Sequence, residues 1–188
     1  MLTYAQGSDR EMGIDIVPDP NFPCDLWNHT FGKTWQEVKA DIDGLGEQRV
    51  LKNCDSLDEY SSGVYWVTGQ DEDGNALPNS ECDLKTQIGG KDNPVFLISA
   101  VADTKVSAGA QVFGVLFVTD VEVGTDQADF TGNGHATVYG AVIMDAVMEH
   151  FNGTFQIVYV EALLELALDT GLFGSVAGGW TDFHESWR

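Results

Sequence analysis

Two hydrophobic rhythms run along this chain. Around residues 31–40 the apolar positions follow a helical period: Trp35, Val38 and then Ile42 lie three and four apart and would turn one face inward. Thr34 and Glu37 stand at capping-box spacing, in which hydroxyl and carboxylate each satisfy an exposed backbone donor. Gly44 and Gly46 end that segment. From Gly63 the rhythm becomes that of strands, in β-branched and aromatic runs at 63–69, 93–98, 104–106, 111–118, 136–144 and 154–160. Residues 161–168 are strong helix formers, expected to stop at Gly171. The tail holds Trp180, Phe183 and Trp187, too many aromatics for a solvated end, so it is expected to pack back onto the sheet. Residues 1–30, with Pro18, Pro20 and Pro23 close together, read as an irregular lead-in to a single β-rich domain over 31–188.

Two strand segments are copies. Val112-Phe113-Gly114-Val115-Leu116 matches Val138-Tyr139-Gly140-Ala141-Val142, 26 residues later (138 minus 112). Each follows a small turn, Ser107-Ala108-Gly109-Ala110 or Thr131-Gly132-Asn133-Gly134, and Phe151-Asn152-Gly153-Thr154 resembles a third. Strands and Gly/Asn corners at a fixed period are what stacked coils require, since each coil buries its inward side chains on its neighbours. The expectation is a mainly β fold: a short β-solenoid-like or stacked β-sheet domain, with a short N-terminal helix and a C-terminal helix capping the open end. An ordinary sandwich with repeated hairpins is the competing architecture.

Composition narrows the partners. Thirty acidic residues against nine Lys plus Arg give a net charge of -21, which phosphate backbones and anionic membrane surfaces would repel. Nucleic acid is therefore excluded as a direct partner. No apolar run approaches the ~18 residues a membrane span needs. Cys24, Cys54 and Cys82 form no C-x-x-C pair, which removes zinc-knuckle and thioredoxin-like chemistry. They fit one disulfide and a spare thiol. Cys54 and Cys82, flanking a strand and hairpin, are the favoured pair, with Cys24 a competitor for either and three free thiols the alternative.

Catalytic signatures are missing. There is no nucleophile elbow, Walker loop or dinucleotide fingerprint, and His29, His135, His150 and His184 are scattered. Asp71, Asp73 and Asn75 suggest a calcium loop, but Gly74 comes too early for the EF-hand pattern, and Asp-Gly and Gly-Asn dipeptides also suit a hairpin turn. Asp126 and Asp129 near Asn133 form a weaker calcium candidate. Asn28 and Asn152 begin N-x-[ST] sequences, though Asn152-Gly153 reads better as a corner.

Several short motifs recur in a particular order. Cys54-Asp55-Ser56-Leu57 precedes Ser61-Ser62-Gly63-Val64-Tyr65-Trp66-Val67; Ile88-Gly89 and Asn93-Pro94-Val95-Phe96-Leu97-Ile98 follow. Then come Gly114-Val115-Leu116-Phe117-Val118, Gly140-Ala141-Val142-Ile143, Ile157-Val158-Tyr159 and the closing Ser186-Trp187-Arg188. With Phe31-Gly32 and its short helix upstream, this order over about residues 30–188 resembles the C-terminal domain of PilX-like pilus-assembly proteins, a minor-pilin-type family of type IV pilus systems. The resemblance implies export to the periplasm or cell surface, an inner-membrane-anchored precursor held by an apolar helix not in this sequence, and pilin subunits or pilus-assembly proteins as partners. It also matches the family's two cysteines to Cys54 and Cys82, and it carries over no catalytic residue. The acidic stretch 70–81 and Cys24 have no counterpart in it.

The expected function is a non-catalytic structural role in pilus assembly, with surface adhesion a further possibility. Trp66, Phe113, Tyr139, Trp180 and Trp187 are the interface candidates, core packing being the rival role for the first three. Alternatives are a secreted or cell-surface carbohydrate- or adhesion-binding module and, behind it, a β-helix enzyme acting on polysaccharide. The last would need charged groups clustered in a groove, for which nine basic residues leave little.

Overall fold

The computed structural model of the protein describes residues 26–46, 48–124, 128–151 and 153–168. In chain order the elements are α1 (Leu26–Phe31), α2 (Trp35–Asp43), β1 (Val50–Leu51), β2 (Gly63–Thr68), β3 (Glu81–Leu84), β4 (Gln87–Ile88), β5 (Val95–Ala100), β6 (Asp103–Val106), β7 (Gln111–Thr119), β8 (Asp129–Gly132), β9 (Thr137–Asp145), β10 (Val147–Phe151), β11 (Gln156–Val158) and α3 (Glu161–Leu168). The fold is mainly β, with parallel sheets and a few short helices.

The larger sheet runs β1-β2-β5-β7-β9-β11 with β4 also beside β7; the smaller runs β10-β8-β6-β3. From β5 onward the chain alternates between the two sheets, so sequence neighbours lie in different sheets and each strand pairs with the next visit to its own. The copied segments are such a pair. Val112 lies beside Val138, Phe113 beside Tyr139 and Gly114 beside Gly140, so the 26-residue offset is the register of β7 on β9.

Register and burial explain why these segments are strands. Alternate positions along each strand of the larger sheet enter different cores. Val67, Leu97, Leu116 and Val118 face the smaller sheet and meet Cys82, Leu84, Val106 and Phe130. Val64, Trp66, Phe96, Ile98, Val115 and Phe117 face the other way, against Trp27, Phe31, Val38 and Ile42 of the two N-terminal helices. A sheet covered on both faces reads as continuous apolar runs, as in β5 and β7. The smaller sheet is wet on its outer face, and β3 and β6 alternate accordingly.

A column of close backbone approaches runs through the larger sheet. Gly114 has φ +131° and Gly140 φ +133°. A Cβ on Gly114 would stand 1.9 Å from the Val95 carbonyl oxygen, and one on Gly140 1.9 Å from that of Gly114. Only glycine permits both that dihedral and that proximity.

The capping box on α2 forms as expected, with Thr34 Oγ1 accepting from Glu37 N–H and Glu37 accepting from Thr34 N–H, and Gly44 as C-cap. Three features differ from the sequence reading. Residues 26–30, placed at the end of an irregular lead-in, form α1 together with Phe31, and the buried Trp27 and Phe31 hold it to the sheet. The strands β1, β3, β4, β8 and β10 were not anticipated, being short or rich in Asp and Thr. Helix α3 packs across β5, β7 and β9, its Leu164 joining the core under α1 and α2, so it lies on a sheet face.

Candidate functional site

The Gln70–Glu81 region protrudes beside the only cystine formed among the described residues. Cys54 and Cys82 are joined, both buried, with Cα atoms 4.9 Å apart across 28 positions of sequence. This bond ties the segment after β1 to the start of β3. Beside it opens a cleft of about 350 Å³, whose lining includes Lys52, Asp55, Leu77, Glu81, Asp83 and Lys85. Lys52 pairs with Glu72 at 3.0 Å and separates this cleft from a second of about 320 Å³ along residues 68–73. Both clefts are open and mixed in charge; Asp83 accepts from Ser107 Oγ at 2.6 Å and lies 3.4 Å from Lys85.

The calcium candidate is organised as a turn. Gln70 bridges Ala76 in antiparallel fashion. Asp71 Oδ1 accepts from the backbone N–H groups of Asp73 at 3.0 Å and Asn75 at 2.8 Å, while the Asn75 amide donates to both carboxylate oxygens. The hydrogen bond from the Asn75 backbone, followed by that from its side chain, holds the Asp71 carboxyl below its ordinary range. Asp71 thus serves as the acceptor that closes the turn. Among the described residues no three His, Cys, Asp or Glu side chains group to hold a metal ion. Asp126 lies outside the described residues.

The aromatic candidates separate by position. Trp66 is fully buried, against Trp27 at 5.7 Å and Trp35 at 6.4 Å between ring centroids, with Lys39 Nζ 5.9 Å from its own ring. Its place under the helices withholds it from any partner. Phe113 and Tyr139 stack at 4.7 Å on neighbouring strands; Phe113 is buried and Tyr139 half-buried. Trp180 and Trp187 lie outside the described residues.

One polar cluster escaped sequence reasoning. Glu122, with its side chain fully buried, accepts from Lys39 Nζ at 2.5 Å, Thr68 Oγ1 at 2.8 Å and the Gly69 N–H at 2.8 Å. It joins α2 to the C-terminal ends of β2 and β7. Glu122 lies between Val121 and Val123 just after β7, where alternation would turn it away from the apolar side, so nothing local marks it as buried. Its ligands are all supplied by the protein, and the arrangement is that of a structural clamp.

Among the described residues no helix is long and apolar enough to cross a membrane. No family model, curated protein or solved structure matches the chain.

Proposed function

We propose that this chain is a non-catalytic structural domain of a type IV pilus system, working in the periplasm or on the cell surface and presented by an inner-membrane-anchored precursor. The observation that carries the proposal is the buried Cys54–Cys82 bond, which suits an oxidising compartment. Five of the motifs behind the pilus resemblance support it further by falling on successive neighbours in one parallel sheet, β2, β5, β7, β9 and β11. The chain's alternation between two sheets, with copied segments in register, supports reading the fold as a short β-solenoid flanked by helices. In that role pilin subunits or assembly proteins meet the domain by packing and backbone pairing, and acidic faces stay solvated.

Deleting the gene and counting surface pili by electron microscopy tests the proposal, together with probing sheared pili for the protein. Loss of pili, with the protein present in the wild-type sheared fraction, is the expected outcome. Normal pili that lack the protein would overturn it. A second reading, a secreted adhesion- or carbohydrate-binding module, is favoured by the open polar cleft beside the cystine and by the prominently exposed Tyr60. Glycan binding abolished by Tyr60→Ala or Lys52→Ala, in a strain whose pili are normal, would establish that reading instead.

A further inference from the structure

Strand β7 is paired on both sides, with β5 and with β9, and its residues 115–118 are buried. Strand β9 differs. On its outer side β11 covers only Thr137, Val138 and Tyr139, after which the chain leaves the sheet for α3. Among the described residues no strand pairs with the outer edge of residues 141–144. Ala141, Val142, Ile143 and Met144 are half-buried where their β7 counterparts Val115, Leu116, Phe117 and Val118 are buried. The step beside them is apolar too: Ile157 is 48% exposed, Val158 38% and Leu166 51%. At the other end of the sheet, β1 is reduced to two residues, a common way to blunt an edge.

We propose that this step, the edge of residues 141–144 beside β11, receives an extended segment of a different, basic protein, added as a further parallel strand. The backbone of β9 supplies the hydrogen bonds. Alternate side chains of the guest continue the columns ending at Val142 and Ile143, one toward each core. Charge selects the guest. Glu161 and Glu165 are exposed on α3, which follows β11 after two residues, and no described cation pairs with them. A chain of net charge -21 disfavours a second copy of itself at this edge and favours a segment flanked by Lys or Arg. This inference rests on the edge and the charge, so it can stand if the pilus reading falls.

The test uses the full chain and two synthetic peptides. One carries the sequence of residues 115–119 between lysines, the other the same sequence between glutamates. Amide hydrogen exchange should show the alternate amides of residues 141–144 that point away from β7 exchanging faster than residues 115–118 in the free protein and slowing when the lysine peptide is added. The lysine peptide should bind at least about tenfold tighter than the glutamate peptide at low salt, and the gap should close as salt rises. Val142→Lys, which points a charge into the step, should abolish binding, while the fully exposed Glu72→Gln in the distant hairpin should not change it. Slow exchange at those outward-pointing amides in the free protein would show that the chain itself covers the edge and would overturn the proposal. Failure of both peptides to bind, or equal binding by both, would also overturn it.

Discussion

At Gly114 and Gly140 a single hydrogen in place of a methyl group lets three strands stack. Gly114→Ala or Gly140→Ala would drive a Cβ into a backbone carbonyl that packed neighbours prevent from retreating. Each substitution should cost about 3 kcal/mol or more, read as a lowered denaturant midpoint with unchanged slope. His135 poses the reverse case. It holds φ +64° at the turn before β9, where the turn before β7 has Gly109, with φ +82°. The corners share one hydrogen bond, Ala110 N–H to Ser107 O and Ala136 N–H to Asn133 O. His135→Gly should stabilise the protein by up to about 1 kcal/mol, less whatever the exposed contact to Thr154 contributes. Asp71 brings a pH dependence. Its pKa in the fold lies below its unfolded value, so the turn's stabilisation is present above the unfolded pKa and is lost as pH falls through the folded one. NMR shifts across residues 70–76 should hold as pH falls through the ordinary carboxylate range and collapse toward unstructured values only at lower pH.

Elements here are held by few but specific ties. Helix α2 is short, and its apolar face of Val38 and Ile42 is reinforced by the Lys39–Glu122 clamp. Glu122→Gln keeps an acceptor for the Gly69 N–H but leaves Lys39 facing no charge. It should cost about 3 kcal/mol in the native background and about 1 kcal/mol in Lys39→Met, a coupling that a double-mutant cycle by denaturant unfolding measures. Additive costs would mean the pair is not coupled. The helix itself was legible because a capping box and a helical period are local signals. The clamp was not, because its members are separated by 83 positions and meet only when β7 returns to α2. Likewise α1 lacks the length to announce itself and exists through Trp27 and Phe31 packing on Trp66, Phe96 and Phe117.

For the molecule as a whole, the cystine and the charge set the stability. Replacing Cys54 and Cys82 together by serine frees a 28-residue separation in the unfolded chain and should lower stability by about 3 kcal/mol, measured by denaturant unfolding. A net charge of -21 concentrates self-repulsion in the folded state, so the melting temperature should rise between low and about 0.5 M salt. No change would show that the acidic groups are too dispersed to repel one another.

The division between sequence and tertiary structure follows the range of the forces. Sequence alone determined the strands rich in β-branched and aromatic residues, the capped helix, the turn at 71–75, and the 26-residue repeat that became the register of β7 on β9, because each rests on neighbours along the chain or on a copied pattern. It also singled out Cys54 and Cys82 as the favoured pair, though only folding brings their Cα atoms to 4.9 Å and leaves Cys24 out of that bond. Tertiary structure decided that Trp66 is core, that Glu122 is buried, that α3 lies on a sheet face, and that the edge of β9 is open among the described residues. Burial of a side chain, and exposure of a strand edge, depend on what covers it, and what covers it comes from distant parts of the chain.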